Sequence, residues 1–154
     1  MDPVQLGNIL AFAGSGLMLG LAGAGSAMGT SMAGMATLGM IKKKPELFGM
    51  GIVLTAVPGT QGIYGFVGFF LSLQVMAGDM SIMKGAVILG SGLGLGFAGL
   101  LSGWYQGRVC ADGINSIAAG HSDAFGKTMM LAAFPEFYAI LALIGLILMQ
   151  GSIA

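Results

Sequence analysis

The chain has 154 residues, of which 56% are hydrophobic and only 8% charged, against roughly a quarter charged in soluble domains. That balance excludes a water-soluble globular domain, and a formal net charge of zero leaves no electrostatic basis for binding nucleic acid or an anionic membrane surface. Cys110 is the only cysteine; it excludes an internal disulfide and a cysteine-based metal site and reads as a small buried apolar residue.

In chain order, Met1-Asp2-Pro3 has no basic region and the apolar run behind it is too long for a cleavable signal, so the first span is expected to stay in the mature protein. Residues 3–41, 47–78 and 85–107 carry no formal charge, and each exceeds the roughly 20 apolar residues that cross a hydrocarbon core about 30 Å thick. A fourth segment, about 128–150, is equally apolar except for Glu136. The pattern predicts an all-α membrane protein with four transmembrane helices. Lys42, Lys43 and Lys44 lie between the first and second spans and Lys127 borders the loop between the third and fourth, which predicts that both loops are cytoplasmic. The termini and the 78–84 turn, with Lys84, then face outward.

The spans are not independent. Residues 14–26 (GSGLMLGLAGAGS) match residues 90–102 (GSGLGLGFAGLLS) at nine of thirteen positions. Beyond the next loop the offset grows by one, and Phe48, Gly49, Leu54, Ala56, Pro58 and Ile63 match Phe125, Gly126, Leu131, Ala133, Pro135 and Ile140. The chain reads as one helical hairpin written twice, over 1–80 and 81–154. Where the second copy has Pro135-Glu136 the first has Pro58-Gly59. A residue needed only for packing is expected in both copies, so the acid marks the site of chemistry.

The first and third spans are rich in glycine at four-residue spacing: Gly16 and Gly20, Gly25 and Gly29, Gly92 and Gly96, then Gly99, Gly103 and Gly107. Small residues at i and i+4 let membrane helices approach closely where lipid supplies no hydrophobic drive between them, and such surfaces on both hairpins suit a tight ring. Gly94-x-Gly96-x-x-Gly99 formally fits a dinucleotide fingerprint, but no strand precedes it and it lies inside a span.

Depth places the polar residues together. Measured from loop centres near residues 45 and 121, Gln106 comes fifteen residues before its centre and Glu136 fifteen after, so both lie roughly 20 Å from the loop in an antiparallel hairpin. Thr60 and Gln61 follow the first centre by about the same distance. Val57, Thr60, Gln61 and Tyr64 share one helical face that is expected to close on Glu136. Pro58 and Pro135 are each expected to bend their helix and free carbonyl oxygens, Pro58 with the help of Gly59. An all-oxygen cage with one negative charge suits a hard monovalent cation: Glu136 supplies the charge, Thr60 a hydroxyl, Gln61 and Gln106 amide oxygens, Val57 a carbonyl, and Tyr64 orients the carboxylate. A glutamate in hydrocarbon without such a cage is neutralised by a proton instead. The plain reading of Gln61 and Gln106 is interhelical hydrogen-bond glue. For Glu136, an intramembrane acid with no basic residue expected at its depth, the functional reading prevails. His121 reads as solvated in a polar loop, and Trp104, Tyr105 and the thirteen methionines as packing.

Pro58-Gly59-Thr60-Gln61-Gly62-Ile63-Tyr64-Gly65, Gln106-Gly107 and Glu136-Phe137-Tyr138-Ala139-Ile140-Leu141 together resemble the proteolipid (K or c type) subunit of bacterial sodium-pumping V-type ATPases, over nearly the whole chain. The resemblance implies four helices from a fused duplication, assembled as a homo-oligomeric ring with the first and third helices inside. It implies an Na⁺ site on the Val57 carbonyl, Thr60, Gln61, Gln106 and Glu136, with Tyr64 bonded to the carboxylate. It further implies a stator subunit with a basic residue, central-stalk subunits on the cytoplasmic face, and ATP hydrolysis carried out by other subunits. Pro135 and Phe137 depart from the pattern, which has an aliphatic residue and a threonine there, and this bears on site geometry and on Na⁺ against H⁺. Other readings are the same ring carrying H⁺, a small proton-coupled secondary transporter, whose cargo site would need an aromatic lining, and a passive membrane scaffold.

Overall fold

The computed structural model describes residues 2–153 and contains, among them, four apolar helical segments long enough to cross a membrane and no strand. The first is α1 (Pro3–Ile41), entered through Pro3, which tolerates the first helical turn because its missing N–H has no partner there. At 39 residues it is about 58 Å long, well beyond the hydrocarbon thickness. It ends at the lysine run, where Pro45 opens a short 3₁₀ turn.

The second segment, Pro45–Met76, is interrupted. Its α-helical parts are α2 (Phe48–Ala56) and α3 (Thr60–Met76), joined by a 3₁₀ turn over Val57–Gly59. Pro58 has no N–H to give to the preceding turn, and Gly59 beside it adds backbone freedom. The expected disturbance of the helix is therefore present at Pro58. It is absent at Pro135: α5 (Ala124–Gly151) is α-helical throughout. A lone proline forfeits one main-chain bond, and Glu136 does not compound that loss as Gly59 does.

The third segment is longer than its charge-free run. It forms α4 (Ile82–Ala118), eleven residues past Gly107, because Arg108 and Asp112 break the run of apolar residues without opposing the helix. Ser81 caps its start by accepting from the Lys84 N–H at 3.2 Å. Gly120, at φ 111°, turns the chain into α5, a left-handed conformation that glycine adopts without strain.

Helices α1 and α4 run parallel and form the most extensive packing in the molecule. Gly7 lies against Gly85, Gly14 against Gly92, Gly25 against Gly103 and Gly29 against Gly107, and a Cβ on any of them would collide with the backbone of the other helix. The register is constant, residue k beside residue k+78. Of the glycines expected to pack, Gly25, Gly29, Gly92, Gly96, Gly99, Gly103 and Gly107 do so, while Gly16 and Gly20 face open space. The remaining segments flank this pair, α3 on α1 and α5 on α4, with α3 also reaching α4 and α5.

Buried polar groups bind the spans at three levels. Near the lysine loop Thr37 meets Thr55 at 2.9 Å and donates to the Gly51 carbonyl. At the other end Gln150 of α5 donates to Ser72 of α3 at 2.8 Å and Ser91 of α4 at 3.1 Å. Interhelical bonds of this kind contribute about 0.6 kcal/mol each on average. The third cluster lies between them and contains the acid.

Candidate functional site

Where α3, α4 and α5 meet, the Glu136 carboxylate is surrounded by donors. Its Oε2 accepts from Thr60 Oγ1 at 2.7 Å, Gln106 Nε2 at 2.8 Å and Gln61 Nε2 at 3.1 Å, and its Oε1 accepts from the Tyr64 hydroxyl. Thr60 and Gln61 reach it because they open α3 directly after the 3₁₀ turn, and Tyr64 stands one turn further on the same face. Gln106 reaches it across the antiparallel α4–α5 hairpin at the same depth. The structure thus brings Thr60, Gln61, Tyr64, Gln106 and Glu136 into direct contact. The Val57 carbonyl stands one step back, 3.2 Å from Thr60 Oγ1. Pro58 is buried against α1 beside Gly29, and Gly59 is half-buried next to Thr30.

Each member is held by further bonds. Gln106 Nε2 also donates to the Ala132 carbonyl at 2.8 Å. Ser102 accepts from Gln61 Nε2 at 3.0 Å and donates to the Pro135 carbonyl at 2.7 Å, tying α3, α4 and α5 at one point. Ser26 of α1 accepts the Gly62 N–H at 2.7 Å, just past the turn. Neither serine was among the candidates read from the sequence, although they occupy equivalent places in the duplication and close the matching GSG…S segments. That equivalence was the available signal. The carbonyls in use, Ala132 and Pro135, are not the one that Pro135 deprives of its helical donor, which is Leu131 four residues before it.

The polar count is unbalanced at Gln61. Its Nε2 carries two protons but has three acceptors in reach, since Gln106 Oε1 lies at 2.7 Å besides Ser102 and Glu136. Its Oε1 is buried and has no hydrogen-bond partner among the described residues. Gln61 and Gln106 are sealed from outside, 0% and 1% exposed, while Glu136 is only half-buried. An acid fixed by neutral donors, with surplus oxygen at its inner side and partial exposure at its outer side, can hold a small cation and exchange it laterally.

One expectation is corrected. Arg108 lies two residues past Gln106 on α4, so a basic residue does stand within about 3 Å of this depth. It points away: Arg108 is exposed, its guanidinium is 5.9 Å from the Tyr105 ring centre, and the only ion pair among the described residues is Lys127–Asp123. Glu136 therefore has no fixed basic partner among the described residues.

The family model for the C subunit of ATP synthase matches the chain twice, over residues 13–72 and 89–149. The chain belongs to the ATP synthase C-subunit family. Members of that family form rings, and the double match falls on both hairpins. Among curated relatives, the K subunit of the V-type sodium ATPase of Enterococcus hirae is 42% identical over 73% of this chain and 72% of its own length. The K subunit of the A-type ATP synthase of Methanocaldococcus jannaschii is 36% identical over 98% of this chain, which spans 64% of that relative. The 16 kDa proteolipid of the V-type proton ATPase of Homo sapiens, its c-type subunit, is 30% identical over 75% of this chain and 72% of its own length. The chain is thus a multi-pass membrane proteolipid of the V/A type, and catalysis resides on other subunits.

Proposed function

We propose that copies of this chain form a homo-oligomeric membrane ring that carries Na⁺, one ion per chain, on Glu136. The ligands are the Glu136 carboxylate, the Gln61 and Gln106 amide oxygens, the Thr60 hydroxyl and the Val57 carbonyl, with Tyr64 holding the carboxylate and Pro58 and Gly59 shaping the turn beneath it. The observation that carries this reading is the buried, unpartnered Oε1 of Gln61 beside an oversubscribed Nε2. A half-turn of that amide sets Oε1 against Gln106 Oε1 and Glu136 Oε2, and three converging oxygens need a cation to hold them.

Movement follows from charge. A bare carboxylate in hydrocarbon costs several kcal/mol, so each Glu136 crosses the lipid only while its ion neutralises it. A stator subunit with a basic residue opens the site, and central-stalk subunits couple the ring to ATP hydrolysis elsewhere. The ring is built from the two hairpins 1–80 and 81–154, with the lysine-bearing loops cytoplasmic and the termini outside. Similarity to the sodium ATPase subunit of Enterococcus hirae supports the choice of ion; similarity to the human proton ATPase subunit supports a second reading, in which the same carboxyl carries H⁺.

Binding of ²²Na⁺ to the purified ring across pH, with Glu136→Gln as control, tests the proposal. Saturable binding near one ion per chain, lost in the variant, together with protection of Glu136 from carbodiimide by Na⁺ and not by K⁺, is the expected result. Carbodiimide labelling that Na⁺ leaves unchanged even at alkaline pH would establish the proton reading instead.

A further inference from the structure

Six glycines of the central helix pair have open space where a Cβ would stand, with no other part of the described residues within 4 Å: Gly16, Gly20, Gly23 and Gly39 on α1, and Gly90 and Gly94 on α4. A glycine inside a helix is destabilising relative to alanine, and in a membrane helix its usual return is close approach to another backbone. Two offsets identify that backbone. Packing inside the chain sets residue k of α1 beside k+78 of α4, whereas the duplication makes k of α1 equivalent to k+76 of α4.

The α4 face equivalent to the one that α1 turns toward α4 therefore carries Gly90, Gly94, Ala98, Leu101 and Tyr105. The α1 face equivalent to the one that α4 turns toward α1 carries Gly16, Gly20, Ala27 and Ser31. All are exposed except the half-buried Ala98. The same holds for the apolar groove of about 460 Å³ whose lining includes Ala98, Leu101, Tyr105 and Pro135. Its counterparts in the first hairpin, Ala22, Gly25, Gly29 and Pro58, pack against α4 or lie buried in the same chain.

We propose that a second copy of this chain docks head to tail with its α1 in this groove, residue k of α4 beside residue k−74 of the neighbouring α1. Gly90 then meets Gly16 and Gly94 meets Gly20, while Ala98 meets Ala24, Leu101 meets Ala27 and Tyr105 meets Ser31. This deepens the ring reading and rests on it. A heterologous contact of this kind closes into a ring when its rotation allows. The junction is not a copy of the internal one. At the end nearer the 78–84 turn it pairs glycine with glycine, so the backbones approach as they do within a chain. At the level of Glu136 the packing glycines Gly25 and Gly29 are replaced by Leu101 and Tyr105, which prop the copies apart.

The junction also lacks an ion site. Where one chain combines Thr60, Gln61, Gln106 and Glu136, the equivalents across the junction are Phe137 and Tyr138 of one copy with Thr30 and Gly59 of the next. The close contact and the charged site are thus kept inside each chain, and the wider gap falls between chains.

Cysteine pairs in a Cys110→Ala background test the register, because a disulfide forms only with Cβ atoms about 3.5–4.5 Å apart. On oxidation, A24C/A98C and A27C/L101C are expected to give ladders of covalent multimers, and A13C/L101C, out of register by about 21 Å along the helix, none. If the native protein migrates as a single copy in mild detergent, the ring reading fails. If it migrates as a ring but the in-register pairs give no ladder, or A13C/L101C ladders as strongly, the docking register fails alone. Gly94→Leu gives an independent check: with open space at that position the chain keeps its helical circular dichroism but loses its high-order species. A ring of native size and heat resistance from this variant overturns the proposal.

Discussion

At the scale of single residues, the proposed function rests on the acid and its four donors. Glu136→Gln preserves volume but removes the charge, so the ring should still assemble while Na⁺ binding and coupled transport are lost; a variant that still binds ²²Na⁺ with native affinity would place the site elsewhere. Tyr64→Phe deletes one hydrogen bond to the carboxylate. Bonds to charged groups contribute about 1.5–3 kcal/mol, so Na⁺ affinity should fall by roughly one to two orders of magnitude, with Gln61→Leu at least as damaging because it removes a donor and the orphaned oxygen together. Titration of Asp123 contributes little. Its carboxyl is held below the usual range by the hydrogen bond and charge of Lys127, 2.6 Å away. A depressed carboxyl adds stability that is present above the unfolded pKa near 3.9 and lost as pH falls through the lower folded value. Asp123→Asn should therefore leave Na⁺ binding and its pH profile between pH 5 and 9 unchanged, which ²²Na⁺ titration can verify.

At the scale of elements, the two prolines show how context sets the outcome. Pro58, followed by glycine, divides its span and lets Thr60 and Gln61 begin a fresh helix facing α5; Pro135, followed by the acid, leaves α5 continuous. The Ser26 hydroxyl takes the Gly62 N–H just past that division. Ser26→Ala should cost about 1 kcal/mol of stability, as the loss of an ordinary hydrogen bond does, seen as a lower unfolding temperature in detergent. The Gln150–Ser72–Ser91 cluster, about 21 Å from Glu136 along α5, ties three spans without touching the Glu136 cluster. Gln150→Leu is expected to lower thermal stability slightly and leave Na⁺ affinity intact; a large affinity loss would show that the two clusters are coupled.

At the scale of the whole molecule, duplication followed by loss of symmetry explains the layout. Two equivalent hairpins lie side by side, yet Gly59 occupies the place that Glu136 holds in the second copy, so only one of the two carries a carboxylate at this depth. Labelling with a lipid-soluble carbodiimide should therefore modify Glu136 and leave every residue of the first hairpin's helical spans unmodified, as peptide mass spectrometry would read it. Placing an acid at the equivalent position as Gly59→Glu sets a carboxyl among Thr30 and the apolar groups of the proposed junction, without the amide donors that serve Glu136. That variant is expected to assemble poorly, with less ring recovered in mild detergent than from the native chain.

Much of this was legible in one dimension, for a physical reason: a bilayer removes most alternatives. Backbone polar groups in lipid must be satisfied internally, so apolar runs of this length become helices, and a rise of 1.5 Å per residue turns sequence distance into depth. The four spans, the repeated segments and the level of Glu136 with Thr60, Gln61 and Gln106 all followed from that, whereas the expectation of no basic residue at that depth overlooked Arg108. Rotation about each helix axis did not, because glycines at four-residue spacing mark surfaces without naming their partners. Only the tertiary structure decided that Gly25 and Gly29 pack inside the chain while Gly16 and Gly20 remain open. It also decided that Ser26 and Ser102 belong to the polar network, that α4 continues past Arg108, and that Pro135 leaves its helix whole. Those outcomes depend on side chains meeting across helices, and the register between helices is set by packing rather than by any single span.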